Sequence, residues 1–263
     1  IGPKQKIIAV AQQTGLSLTD IEIIDALHSH DAAAIAVQQV HQQKVDAIMK
    51  GKIHTDELMA AIVDKKIGLR TERRMSHIFA LDVPSYSKPL FVTDAAINIA
   101  PNLSTKRDIV QNSIDLLHTL GISTPKVAIL SAVETVNSKI SSTMDAASLC
   151  KMADRKQIVG GILDGPLAFD NAISKTAAAA KELISQVAGD ADILVAPNLE
   201  AGNMIAKQLI YLAGAQSAGI VLGASVPIIL TSRADDALSR LASCVLALRY
   251  VHYTQLNTTN TSI

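Results

Sequence analysis

Short apolar runs rich in β-branched residues alternate along this chain with longer segments of helical periodicity, and that rhythm restricts its fold more than any other feature. The runs are VDAIMKG (45–51), PLFVTD (89–94), KVAIL (126–130), IVGGILDG (158–165), ADILVAP (191–197), GIVLGA (219–224) and VPIIL (226–230). Runs this short and this apolar read as buried strands, and the amphipathic segments between them read as crossover helices. The expected class is α/β with mostly parallel pairing. One helix is legible after VPIIL, with Leu238, Leu241, Val245 and Leu248 on one face and Thr231 or Ser232 as its cap. The segment from Pro101 to Leu130 reads as a helix leaving one α/β layer for another, which places a domain boundary near residue 105.

Composition narrows the function classes. At 263 residues and 49% hydrophobic content, the chain can bury one large core or two modest ones. Lys plus Arg equals Asp plus Glu at 24 each, with no block of either sign, which argues against a nucleic-acid groove or an anionic membrane surface as partner. Aromatic residues make up 3% and Trp is absent, so no stacking platform for bases is expected. No run approaches the roughly 20 apolar residues of a membrane span, and the first residues lack the pattern of a secretory signal, so a cytoplasmic protein is expected. The opening IGPKQKIIAVAQQTGLSL reads as a strand end followed by a helix, so further sequence is expected before Ile1; the polar tail from His252 is expected to fray. Cys150 and Cys244 stand far apart in apolar surroundings without CxxC spacing, and are expected as buried thiols.

In an α/β sheet ligands bind beyond the carboxyl ends of the strands, so residues just after each run carry the functional signal. Here they are Lys50, Gly51 and Thr55; Asp94 and Asn98; Ser131 and Glu134; Asp164 with Gly165 and Pro166; Asn198, Glu200, Gly202 and Asn203; and Ser232, Arg233 and Asp235. Helix capping explains any one of them; six such ends together point to a site. No G-x-G-x-x-G follows a strand, and Lys52 lacks both the earlier Gly and the following Ser or Thr of a phosphate loop. His28, His30 and His54 have no carboxylate at ligand spacing, so no metal site is expected. Cations remain: Lys50, Arg70, Arg73, Arg74 and Arg233, with Arg233 the strongest candidate and Arg70 well placed to grip an oxyanion in two-pronged fashion. TSRADD (231–236) reads either as a helix cap whose acids complement the helix dipole or as a reaction site.

The motifs IMKGKIHTDEL, GLRTERRMSHI, FVTDAAINIAPNL, TPKVAILSAVETVNSKISSTMDAA, DGPLAFDNAIS and the stretch from Ala188 to Asp236 run in order over most of the chain. Together they resemble the phosphate acetyl- and butyryltransferases, or phosphotransacylases. SAVETVN, DGPLAFD and TSRAD are closer to the butyryl-type branch. The resemblance implies two α/β domains with an inter-domain cleft, here residues 1–105 plus 225–263 and residues 106–224, and an opening βα unit ahead of Ile1. It implies reversible acyl transfer between coenzyme A, as substrate and not cofactor, and inorganic phosphate, in a homodimer. On this reading Asp235 accepts the thiol proton, with Asp236 or another acid as the alternative base, Ser232 donates to the developing oxyanion, and Arg233 holds phosphate with Arg70 and Lys50. Thr55, Asn98, Asn203 and Lys207 complete the substrate contacts, with capping and solvation as the other reading of Asn203 and Lys207. Two departures stand out: Ser239 occupies the place of an acid in acetyl-type members, and Ala60 or its neighbour that of an Arg in many members. Phosphate acetyltransferase activity and a non-catalytic coenzyme A-binding paralogue are the alternatives. A decarboxylating dehydrogenase relative would need clustered Asp ligands, which the sequence lacks.

Overall fold

The computed structural model describes residues 1–230 and 236–260. In chain order the elements are α1 (Lys4–Thr14), α2 (Ser29–His41), β1 (Ile48–Met49), α3 (Thr55–Ile62), β2 (Ser76–Asp82), β3 (Leu90–Thr93), α4 (Leu103–Thr119), β4 (Lys126–Leu130), α5 (Ser141–Asp154), β5 (Ile162–Leu167), α6 (Phe169–Ile173), α7 (Lys175–Ala180), β6 (Ile193–Val195), α8 (Leu199–Tyr211), β7 (Gln216–Leu222), β8 (Ile228–Ile229) and α9 (Ala237–Asn260). All seven apolar runs overlap a strand. The strand without a counterpart among them is β2, which begins within the basic motif GLRTERRMSHI.

Among the described residues the strands form one continuous sheet of eight, in the order β1-β8-β7-β2-β3-β6-β4-β5. Its two flanks pair in parallel, β1 with β8 on one side and β3, β6, β4 and β5 on the other. The centre is antiparallel: β2 pairs β7 from Ser76↔Leu222 to Asp82↔Gln216, and also pairs β3, while β7 pairs β8. The α/β class therefore holds, with a reversal in the middle. That reversal points the carboxyl ends of β1 and β8 toward one edge of the sheet and those of β3, β4, β5 and β6 toward the other. The polar strand ends that the sequence suggests as one site are divided between two edges.

Alternation along the central strands explains the layers. Ile78, Ile220 and Leu222 face a core with Ile109, Val110 and Ile114 of α4 and Leu246 of α9. The opposite face carries two separate clusters. One packs Leu81, Val92 and Leu194 against Ala206 of α8, and the other packs Val221 and Ile228 against Val37 of α2 and Leu58 and Ile62 of α3. Full burial of each such side chain contributes about 1.5–3 kcal/mol.

Two helices depart from simple expectation. On α9 the stripe read as its apolar face is exposed: Leu238 58%, Leu241 62%, Val245 51% and Leu248 65%. The inward arc is instead Ser243, Leu246 and Ala247, and the Ser243 hydroxyl accepts a 2.9 Å bond from the Gly219 N–H, which holds small residues against β7. The expected cap at Thr231 or Ser232 lies outside the described residues; Asp236 accepts from the Ser239 N–H at 2.7 Å and tethers the first turn. On α4, the N-cap Asn102 accepts from Thr105 N at 2.9 Å, and polar side chains point inward. Asn112 donates to Arg74 O and Ser76 Oγ, both at 2.9 Å, and buried Lys106 pairs with Asp145 at 2.7 Å, so this helix fastens the loop ahead of β2.

Candidate active site

The turn after β3 is built around Asp94. Its carboxylate is 2% exposed and accepts from the backbone N–H groups of Ala96, Ile97 and Asn98 at 2.9–3.1 Å, as a short polar side chain does when it replaces a backbone turn. The Asn98 amide donates to the same carboxylate at 2.5 Å and to Met75 O at 2.8 Å, tying this turn to the start of β2. From the other side α8 closes on it. Asn198 caps α8 by accepting from Ala201 N at 2.9 Å, and Asn203 Nδ2 donates to Ala95 O at 3.1 Å. The approach is close because residue 202 is Gly: an added Cβ would lie 2.3 Å from Asp94 O. Asn203 is therefore a clamp within the helix, and the capping role belongs to Asn198. Lys207, one turn further on, is exposed with its ammonium 5.9 Å from the Tyr211 ring centroid.

The basic loop GLRTERR docks on the end of β7. Arg70 bridges Ala224, Thr71 Oγ1 donates to Gly223 O at 2.8 Å, and Ser225 N donates to Leu69 O at 2.9 Å. Gly223 is required there, since its φ is +93° and a Cβ would lie 2.4 Å from Arg74 O. The three guanidinium groups then separate by role. Arg73 pairs with Asp115 on α4. Arg70 and Arg74 are exposed and have no acceptor among the described residues. Asn98, Asn203 and Arg70 are thus joined through Met75 and the loop ahead of β2.

Lys50 and Thr55 sit at the other edge. Lys50 N donates to Ile229 O at 2.9 Å, so this buried lysine stands beside the end of β8, where the chain enters 231–235. Thr55 is the exposed first residue of α3, behind the N-cap His54, whose N–H reaches Glu57 Oε2 at 3.4 Å. Ser232, Arg233 and Asp235 lie outside the described residues. Two further strand-end polar groups are engaged structurally: Ser131 Oγ meets Ser142 Oγ at 2.8 Å, and Glu134 accepts from Lys181 at 2.9 Å, which holds its carboxyl below the usual range. Burial pushes the Cys150 thiol up to about 12, the state of a packing residue and not of a nucleophile.

One buried polar group escapes a reading of strand ends altogether. His77, inside β2, is 2% exposed, stacks edge-on against Phe79 with ring centroids 4.4 Å apart, and leaves Nδ1 buried without a partner. Burial lowers its pKa to about 4 against the opposing pull of Asp94. Its only sequence signal is a polar residue in a strand that the reading did not assign. No group of three or more potential metal ligands occurs among the described residues, and no described helix is long and apolar enough to cross a membrane.

The fold is shared with a class of acyl-transferring enzymes. The crystal structure of a branched-chain phosphotransacylase from Enterococcus faecalis V583 superposes with a TM-score of 0.80 at 29% identity, covering 94% of each chain. A phosphate acetyltransferase of Rhizobium meliloti is 57% identical over 250 residues, 95% of this chain and 79% of that protein. A phosphate butyryltransferase of Clostridium acetobutylicum is 42% identical over 247 residues, 94% of this chain and 82% of that protein. Residues 5–247 match the family described as "Phosphate acetyl/butaryl transferase". The protein is a phosphate acyltransferase and belongs to that family.

Proposed function

We propose that the protein transfers a short acyl group reversibly between coenzyme A and inorganic phosphate by direct thiolate attack within a ternary complex. The observation that carries this reading is Arg70, whose backbone is held by the bridge to Ala224 and whose exposed guanidinium has no acceptor among the described residues, in a chain of this family. Such a group binds phosphate through two parallel hydrogen bonds. Arg233 and Lys50 share the phosphate, Ser232 donates to the oxyanion and Asp235 accepts the thiol proton. Asn98 and Asn203 hold the turn at Asp94 beside the substrate, while Thr55 and Lys207 face coenzyme A. Asp236 is set aside as the base, since the Ser239 N–H occupies its carboxylate and lowers its pKa. The two domains are residues 1–105 plus 225–263 and residues 106–224, whose strands interleave where β7 lies between β8 and β2, in a homodimer.

Acetyl is the first acyl group on this reading, supported by 57% identity to a phosphate acetyltransferase against 42% to a phosphate butyryltransferase. Butyryl is the second, supported by SAVETVN and DGPLAFD. The test is thioester formation from coenzyme A with acetyl, butyryl and isobutyryl phosphate in turn, repeated with Arg233→Ala. Turnover with one of them, lost in the variant, supports the proposal. Coenzyme A binding without turnover on any would establish the non-catalytic alternative.

A further inference from the structure

We infer that Arg74 is a further specificity-determining residue of the acyl-transfer site, its guanidinium binding a phosphate group of a substrate, with Asp108 and Asn112 of α4 as the residues that position it. This rests on the acyl-transfer reading above. Arg70, Arg73, Arg74 and Arg107 gather where α4 meets the loop ahead of β2, and two of them are already neutralised. Arg73 pairs with Asp115, and Arg107 pairs with Asp108 through Nη2 at 2.6 Å. Arg70 and Arg74 are exposed and have no acceptor among the described residues.

What separates Arg74 from a merely solvated arginine is its backbone. Its N–H donates to Asp108 Oδ2 at 3.0 Å, and its carbonyl accepts from Asn112 Nδ2 at 2.9 Å. Both partners are buried, at 6% and 2% exposure, where an unsatisfied carboxylate or amide is costly. The same residue is closed from a third side, since a Cβ on Gly223 would lie 2.4 Å from Arg74 O. A helix that buries an acid and an amide to hold both backbone groups of one surface arginine fixes where that side chain starts. A fixed start lowers the ordering cost of binding an anion, and a guanidinium meets phosphate through two parallel hydrogen bonds.

That fixed point stands at the candidate site. β2 runs antiparallel to β3 and β7, so its first residue, Ser76, lies beside Leu222 at the end of β7, and Ile78 lies beside Thr93 at the end of β3. The residues just ahead of Ser76 therefore share the edge on which Asp94 and Asn98 stand. Asn98 Nδ2 donates to the Met75 carbonyl at 2.8 Å, one residue from Arg74. Arg70 rests on the same turn through its bridge to Ala224, next to the Gly223 that closes on Arg74. Arg70 and Arg74 thus start from one buttressed turn as two cations open to an anion, and the chemistry they suit is a phosphate group. Inorganic phosphate, acyl phosphate and the phosphates of coenzyme A all present it.

The test measures kcat and KM in thioester formation for wild type, Arg74→Ala and Arg74→Lys, with Arg73→Ala as the control. The varied substrates are coenzyme A, dephospho-coenzyme A and whichever of acetyl, butyryl and isobutyryl phosphate turns over. Arg74→Ala should raise KM for a phosphate-bearing substrate about tenfold to a hundredfold, the range of a lost hydrogen bond to a charged group, with kcat little changed and partial recovery in Arg74→Lys. A rise for the acyl phosphate places Arg74 on the reacting phosphate. A rise for coenzyme A places it on that substrate's ribose phosphate when dephospho-coenzyme A shows none, and on its diphosphate when the rise persists. Wild-type KM for all of them in Arg74→Ala overturns the inference and leaves the proposed function standing. Asn112→Ala, which frees the Arg74 carbonyl, should raise the same KM, and combined with Arg74→Ala should raise it no further; an additive rise overturns the positioning role. Should Asn112→Ala not fold, the Arg74 variants, altered at an exposed side chain, still decide the assignment. Failure of wild type itself to turn over overturns both readings.

Discussion

Three arginines within five residues carry the same charge and differ in what they face. Arg73 is paired with Asp115 at a half-exposed surface, where such pairs contribute about 0–1 kcal/mol, so Arg73→Ala should leave turnover intact and move stability by no more than that in urea denaturation. Arg70→Ala should weaken phosphate, raising its KM about tenfold to a hundredfold, the range of a lost hydrogen bond to a charged group. Equal effects of the two substitutions would remove Arg70 from the site. His77 makes a second prediction through proton linkage. Its folded pKa of about 4 lies below the ordinary histidine value of 6.5, so its contribution is fully present above pH 6.5 and is lost as pH falls toward 4. Unfolding free energy should decline by up to about 3 kcal/mol across that window, and His77→Phe should flatten the decline. Cys150, with its thiol pushed up by burial, should resist iodoacetamide at pH 8 in native protein and react on unfolding, as followed by mass spectrometry.

At the scale of elements, the candidate site depends on how closely α8 meets the turn at Asp94. Gly202→Ala would force a methyl group into the Asp94 carbonyl and should cost about 1–3 kcal/mol, with a larger loss of turnover than of fold because the Asn203 clamp on Ala95 opens. Asn198→Ala, which removes only the cap, should cost about 1 kcal/mol in thermal unfolding and little activity. The strands show why elements were partly legible. Runs such as KVAIL and VPIIL are apolar on both faces and announce themselves. β2 does not, because His77 interrupts it and basic residues precede it, yet its partners β3 and β7 make it the centre of the sheet. α9 shows the opposite failure: a clear apolar stripe, Leu238 to Leu248, faces outward, because the bond from Gly219 to Ser243 fixes the rotation of the helix.

At the scale of the whole molecule, β7 pairs with β2 and β8 while β3 pairs with β6, so backbone ladders cross the division at residues 105 and 224. The two halves should therefore unfold in a single urea transition, with tyrosine fluorescence and far-ultraviolet circular dichroism coincident; two separated transitions would show independent domains. The sequence by itself determined the α/β class and the family, because periodicity, composition and ordered motifs are local properties of the chain. It also singled out Arg70, Asn98 and Asn203, which the fold gathers around the start of β2. Only tertiary structure decided that the sheet reverses at its centre, that the polar strand ends divide between two edges, that Arg73 is tied while Arg70 is not, and that His77 is buried beside a bare glycine. Those depend on strand pairing and helix rotation between residues far apart in the chain, where hydrogen-bond partners and close contacts are chosen by packing and not by neighbours in sequence.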